Sequence, residues 1–453
     1  MKLNRTILLK LIIKNNIVIK INNMKNIKRR TFFKGAAAAS ALTLISPSAA
    51  FGSRANSAIR MGIIGCGGRG SAVISSIIGN TNTALVAMAD LFDDKLRSAL
   101  PVYNKLNSSK SMPDIPKGNI YQGSKAYLAI LNNKDVDAVL VSTPCYAHPQ
   151  VVEAAIAAGK HVYCEKPAAT DVTGCLQMIR TGEAAERKGL NLAIGFQIRF
   201  ATVYEEMIKR IKEGLIGDVI NAQIFYFSGG VPVRQDKSMS YDEARIRNHF
   251  HFRTLSGGIL ADQGIHVLDV CNWGLGTHPL RAMGTGGNRN ASEFGDTWTN
   301  YQVIYQYPGD VNVSFHSTQQ GSHGGDVCAR FIGTKGIAEA HYSGGVFIEG
   351  ENRWDSGVAR AGQKSTEEQR VAGIFLSSLH DADRNKDIAF INTIESGKPV
   401  NEALQGAEST LTAILGRMAA TSGEVTTWDE MMLSGERLDP MLDLAQFDKP
   451  EVK

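Results

Sequence analysis

Cysteine is scarce and scattered. The 453 residues hold six (Cys66, Cys145, Cys164, Cys175, Cys271 and Cys328), none in a CxxC pair and none grouped with histidine at zinc-ligand spacing. A disulfide framework is therefore excluded, the thiols read as buried and free, and no metal is expected. An excess of one charge is lacking too: 49 Lys+Arg face 44 Asp+Glu, and much of the net +5 sits in the first thirty residues, which contain no Asp or Glu. Nothing there describes a nucleic-acid-binding face. Also missing is an uninterrupted apolar run of the roughly 20 residues a bilayer-crossing helix needs, so no membrane span is expected in the mature chain. What is present is an ordinary globular composition, 43% hydrophobic and 21% charged with 45 glycines, long enough for two or three domains.

Residues 25–50 read KNIKRRTFFKGAAAASALTLISPSAA. Arg29 and Arg30 precede two phenylalanines, then a weakly apolar, alanine-rich run, then Ser48-Ala49-Ala50, small residues of the kind a signal peptidase accepts. The order resembles a twin-arginine (Tat) export signal, which carries folded proteins across the membrane. Periplasmic or other exported localisation is the expectation. Residues 1–57 are set aside as signal and linker, with Met1 or Met24 as the start. An enzyme exported folded must load a soluble cofactor beforehand and keep it, which favours tight binding.

The apolar run IRMGII (59–64) leads into Gly65-Cys66-Gly67-Gly68-Arg69-Gly70, and SAVISSIIGN then has a helical pattern. Strand, GxGxxG, helix is a dinucleotide fingerprint: tight turn, close backbone approach to a pyrophosphate, and a helix N-terminus facing it. The next strand, ALVAMAD, ends at Asp90, about 20 residues past the last motif glycine, where an acid bonds the adenosine ribose. It would repel a 2′-phosphate, so NAD is expected over NADP; Asp90 is also a plausible N-cap for the following helix. The alternation continues with helical patterns at 125–132, 149–158 and 171–188 and apolar strands at 136–143, 160–165 and 190–197. That predicts a doubly wound parallel sheet over 58–195. Its ligand side carries Thr143-Pro144 and Glu165-Lys166-Pro167 at two strand ends.

Glu165-Lys166-Pro167 closing a strand downstream of GxGxxG resembles the hallmark of the Gfo/Idh/MocA oxidoreductases. Ser142-Thr143-Pro144 with His148, and the stretch GGILADQGIH at 257–266, are similar to that family too. The resemblance covers about 58–435 and implies an α/β Rossmann domain followed by an α/β domain with a large, mostly antiparallel sheet (196–375). That sheet carries the substrate pocket and often joins subunits into a dimer or tetramer. Helices and a tail (376–453) pack back on the first domain. Strand-like runs at 301–307, 311–318, 329–332 and 337–341 agree. The cofactor-binding set is Gly65, Gly67, Gly68, Arg69, Gly70, Asp90, Thr143, Pro144, His148, Glu165 and Lys166.

Hydride transfer from an alcohol carbon needs a base for the hydroxyl proton and a donor or cation for the oxygen. By the resemblance His266 is the acid/base and Lys166 the polarising cation near the nicotinamide, while Asp262 supports them or contacts the substrate. If 259–273 is helical, Asp262 and His266 share a face, and the carboxylate would favour the imidazolium. His249, His251 and Arg253 are further candidates for substrate hydroxyls; Tyr226 and Tyr301 read as core or interface, and Asp269 as a local or interdomain hydrogen-bonder. The expected activity is an oxidoreductase passing hydride between tightly bound NAD(P) and a secondary alcohol of a sugar, polyol or glycoside. The alternative is an NAD-dependent glycoside hydrolase that oxidises the ring transiently, eliminates and re-reduces. A non-catalytic sugar-binding protein is a distant third.

Overall fold

A computed structural model describes residues 57–234, 236–289, 293–321, 325–358 and 377–448; the Arg29-Arg30 segment lies outside them. Six parallel strands form the first sheet: β1 (Ile59–Ile64), β2 (Thr83–Asp90), β3 (Ile120–Gln122), β4 (Ala138–Val141), β5 (His161–Cys164) and β6 (Leu192–Ile194), in the order β3-β2-β1-β4-β5-β6. Apart from the edge strand β3, the strands are largely buried, as a sheet covered on both faces requires. Its helices are α1 (Gly68–Asn80), α2 (Asp93–Ser109), α3 (Ala126–Asn132), α4 (His148–Ala157) and α5 (Val172–Lys188). Strand order reverses between β1 and β4, so the loops after those strands diverge and leave a crevice at their carboxyl ends. Gly65 and Thr143 stand there. β4 and β6 are shorter than their sequence patterns predict. Thr143-Pro144 turns away from the sheet, and residues 197–200 close a 3₁₀ turn.

The chain then passes through α6 (Thr202–Lys212) into a nine-stranded sheet. Its members are β7 (Val219–Phe227), β8 (Arg281–Gly287), β9 (Asn300–Gln306), β10 (Asn312–Thr318), β11 (Asp326–Gly333), β12 (Gly336–His341), β13 (Val346–Gly350), β14 (Trp354–Asp355) and β15 (Thr426–Thr427). The order is β14-β13-β12-β11-β7-β10-β9-β8-β15, antiparallel throughout except for β7 beside β10. Buried and exposed positions alternate along β9 and β10, the signature of a sheet with one covered face. Between β7 and β8 come α7 (Tyr241–Arg247), α8 (Arg253–Ser256), a π-helical turn (Leu260–Gly264) and α9 (Ile265–Leu275). Added Cβ atoms at Gly264 and Gly274 would lie 2.6 Å from Phe315 and 2.7 Å from Phe331, so these two glycines let α9 press onto the sheet.

Helices α10 (Ala382–Glu395), α11 (Ala403–Ser422) and α12 (Trp428–Ser434) complete the fold. α10 packs on α1, while α11 lies against both α5 and β8. Three residues close together on α11 stitch the two sheets' environments together. Ser409 donates to Asp269 at 2.7 Å, Thr410 accepts from the Ala168 amide at 3.1 Å, and Thr412 accepts from Asn272 at 3.0 Å.

Candidate active site

The glycine turn explains itself residue by residue. Gly65 has φ +96, and a Cβ there would lie 2.5 Å from the Ser142 carbonyl oxygen; one on Gly70 would lie 2.3 Å from the Gly65 oxygen. Both glycines are demanded by close backbone approach. Gly67 and Gly68 differ: no protein atom lies within 4 Å of a Cβ built on either. The open space lies over the N-terminus of α1, where amide groups point outward, so these residues fit a dinucleotide's diphosphate. Asp90, ending β2, accepts from the Cys66 amide at 2.7 Å and the Phe92 amide at 2.9 Å. It therefore shapes the turn, while burial pushes its pKa up. Beside it, the Gln122 Oε1 is buried without a partner, as is the Thr143 hydroxyl at the end of β4.

Two expected nucleotide contacts are occupied otherwise. Arg69 turns back from the turn: its Nε donates to Glu165 at 3.0 Å, and its Nη2 donates to Gln197 at 2.9 Å and to Asp383 of α10 at 3.2 Å. Its guanidinium is a brace under the site. The two carboxylates raise its pKa against the opposing effect of burial. His148 is buried, with ring nitrogens 2.8 Å from the Pro167 oxygen and 2.9 Å from the Thr143 oxygen. Burial pushes its pKa down to about 4 against the pull of those carbonyls. The ring clamps the two strand-end loops and has no nitrogen to offer a cofactor.

Lys166 begins the loop after β5, and its peptide bond to Pro167 is cis. The ammonium donates to the main-chain oxygen of Asp262 and lies 3.8 Å from that residue's carboxylate. His266 follows one turn later, buried, with its Nδ1 unpartnered. Its ring stacks on Tyr226 (centroids 6.4 Å apart, 20° between planes) and meets Tyr342 edge-on at 6.1 Å. Burial drives its pKa well below the ordinary histidine value, and Lys166 and Arg69 push the same way. The expectation that Asp262 orients and protonates His266 is thus corrected. The segment opens as a π turn rather than an α turn, Asp262 is spent on Lys166, and among the described residues no hydrogen bond joins it to His266. A neutral imidazole beside an ammonium is a proton acceptor next to an oxygen-polarising cation.

His249 is held at 3.3 Å from the Ile246 oxygen, with its pKa lowered by burial; the nearby Asp262 carboxylate opposes this. His251 lines a cavity of about 360 Å³ together with Val231, Phe294, Thr297, Thr299 and Gln319. That volume is in the range of small-molecule sites. The end of β7, at the cavity edge, is tied to the π turn by Ser228 donating to Gln263 at 3.0 Å. Arg253 keeps its Nε buried and unpartnered. Asp269 is held by Arg199 at 2.9 Å and by Ser409 of α11 at 2.7 Å. Sequence reasoning passed over Tyr226 and Tyr342 as site residues because nothing distinguishes a ring stacked on a reactive imidazole from an ordinary core tyrosine. Gln197 and Asp383, the other partners of Arg69, carry no motif. One group among the described residues has metal-ligand character, Cys328, Glu339 and His341. There the imidazole already lies between Asp326 (3.0 Å) and Glu339 (2.6 Å), with Arg330 on Glu339.

Residues 59–196 match the oxidoreductase family with an NAD-binding Rossmann fold, and 204–339 match the GFO/IDH/MocA C-terminal domain. The chain belongs to the Gfo/Idh/MocA oxidoreductase family. It is similar to an inositol 2-dehydrogenase of Acidothermus cellulolyticus, 26% identical over 281 residues, 61% of this chain and 71% of that protein. A glycosyl hydrolase family 109 protein of Solibacter usitatus is 28% identical over 173 residues, 38% of this chain and 37% of that protein. The crystal structure of scyllo-inositol dehydrogenase from Lactobacillus casei with NAD(H) and scyllo-inositol superposes with TM-score 0.60 at 21% identity. It covers 82% of this chain and 99% of that one. For this family member, then, the glycine turn and Asp90 belong to an NAD-binding Rossmann domain, and its class is NAD-dependent oxidoreductase.

Proposed function

We propose that this enzyme oxidises a secondary alcohol of a cyclic polyol or sugar. The observation that carries the reading is the convergence of the Lys166 ammonium, Asp262 and a buried, neutral His266 beside the nucleotide crevice. Bound NAD supplies the hydride acceptor. Lys166 directs its remaining N–H groups at the alcohol oxygen and stabilises negative charge there as the proton leaves. His266 takes that proton because its surroundings keep a lone pair available. Asp262 fixes the ammonium through both its carbonyl and its carboxylate. Tyr226 and Tyr342 hold the imidazole plane and exclude water. The inositol 2-dehydrogenase likeness supports a polyol as substrate.

The test is to incubate purified protein with NAD and a panel of inositols, hexoses and aryl glycosides, following NADH absorbance. Rising NADH with a polyol is expected. Retained NAD with no NADH from any polyol overturns the substrate reading. A second reading, hydrolysis by transient ring oxidation, is supported by the likeness to the family 109 protein, which spans little more than a third of that protein. It would show as aglycone release without net NADH.

Export through the twin-arginine route and assembly as a homo-oligomer belong to the same proposal. The first is supported by the pattern at residues 25–50 and is tested by fractionating cells expressing the Arg29→Lys/Arg30→Lys variant, expected to stay in the cytoplasm. Export of that variant at the wild-type level overturns it. The second is supported by Met283 and Ile304, cross-strand partners left 44% and 47% exposed on the open face of the large sheet.

A further inference from the structure

The last described residues are not a loose tail. Residues 436–448 run along the carboxyl edge of the nucleotide sheet, tied down at each step. Glu436 pairs with Arg417, and the Leu438 amide donates to Asp171 at 2.7 Å. Arg245 of α7 donates to the Pro440 oxygen at 2.7 Å. The Asp443 amide donates to Asp242, also of α7, at 2.9 Å. The chain then lands on the adenosine end of the site. Phe447 meets Phe92 edge-on with centroids 5.2 Å apart, and the other flank of Phe92 carries the Arg247 guanidinium at 4.0 Å. Arg247 is itself paired with Asp94 at 2.7 Å. Asp448 accepts from the Ser124 amide at 2.6 Å and from the Ser124 hydroxyl at 2.9 Å. Gly123 makes the landing possible: with φ +108, a Cβ there would lie 2.6 Å from the Asp448 carboxylate. Ser124 is two residues past Gln122, the register partner of Asp90.

We propose that residues 436–448 form a strap that, with α7, retains the dinucleotide, so that cofactor exchange requires Phe447 and Asp448 to lift. The proposal rests on the NAD-binding reading of the crevice. Phe92 and Asp90 follow one another across the β2–α2 turn, and the strap closes that turn from outside. It is anchored both to α7 on the substrate side and to the β3 loop on the nucleotide side. Opening it breaks a carboxylate bonded to two donors and an aromatic contact together. Release of bound NAD(H) is therefore gated by the strap while the hydride step, which uses Lys166 and His266, is not.

The test loads the full-length protein with NADH, chases with excess NAD, and follows loss of bound NADH fluorescence. Phe447→Ala/Asp448→Ala is expected to release NADH roughly tenfold to a hundredfold faster than wild type, the scale of a lost charge-assisted pair plus an aromatic contact. Single-turnover hydride transfer in the loaded variant should stay within about twofold of wild type, well inside the tenfold that 1.4 kcal/mol represents. Asp448→Asn, which keeps one acceptor oxygen and turns the other into an NH2 donor, should fall between the two. Equal release rates for wild type and either variant, with unchanged circular dichroism, overturn the strap. A wild-type protein that takes up no NADH overturns the nucleotide reading itself, and the strap falls with it.

Discussion

Burial, Lys166 and Arg69 all push the His266 imidazole toward neutrality. With His266 as the base, the acid limb of kcat/KM in the free enzyme is therefore expected below pH 6.5, the ordinary histidine value. Replacing Lys166 by Met removes one of the two cations, so the limb is expected to move up toward 6.5 while kcat/KM drops by roughly 10²–10⁴. NADH binding followed by fluorescence should survive. A limb that stays put would separate the two side chains functionally. Lys166 and His266 were legible as candidates because the EKP triplet and the GGILADQGIH stretch are local patterns. Their mutual arrangement was not: the π turn that hands Asp262 to Lys166 depends on packing against β7 and β10, which no spacing rule records. The roles of Arg69 and His148 were obscured for the same reason, since a side chain in a motif can serve the nucleotide or the loops beneath it.

Among the elements, the glycine turn offers a contrast of neighbours. Gly70→Ala drives a methyl into the Gly65 carbonyl and should destabilise the protein by about 1–3 kcal/mol. Gly67→Ala meets no protein atom, so its melting temperature should match wild type within about 1 °C, a shift of at most about 1 kcal/mol for a chain this long. Its affinity for NAD should fall at least about tenfold through crowding of the diphosphate. Thermal melts beside NADH titrations separate the two. On α10, Lys386 and Asp387 form a buried pair at 2.9 Å with side chains 2% and 0% exposed. Lys386→Met leaves Asp387 uncompensated and is expected to cost about 3–5 kcal/mol, whereas Lys386→Met/Asp387→Leu should recover most of it. Denaturant midpoints of the two variants decide this. The parallel strands and α1 could be read from the sequence because each is a short apolar run or an amphipathic stretch bounded by glycine. The resemblance places α10 against the first domain, but its seat on α1 in particular was not legible, because the Arg69–Asp383 contact spans 314 residues.

For the molecule as a whole, two sets of histidines tilt the pH dependence in opposite directions. His148, lowered to about 4, and His266, also depressed, are protonated in the unfolded chain below about pH 6.5 but resist protonation when folded. Stability is therefore lost as pH falls from about 6.5 toward 4. His341, held up at about 11 chiefly by its contacts with Cys328 and Glu339, does the reverse. Its contribution is complete below about 6.5 and disappears as pH rises through about 11. The melting temperature should peak near neutrality. His341→Gln should flatten the alkaline flank and leave the acid flank unchanged; a parallel shift of both flanks would contradict the assignment. The two-sheet architecture was readable from alternating patterns. The oligomeric state, by contrast, depends on a partner surface, and light scattering at several concentrations measures it directly.

The brace at Arg69 and the landing of Asp448 on Ser124 carry a further consequence for biosynthesis. The crevice is framed by side chains drawn from Arg69 to Asp448. A nascent polypeptide therefore cannot complete this frame until residue 448 has left the ribosome. A product cut short before Phe447 would still present the glycine turn but, without the strap, would shed its cofactor sooner.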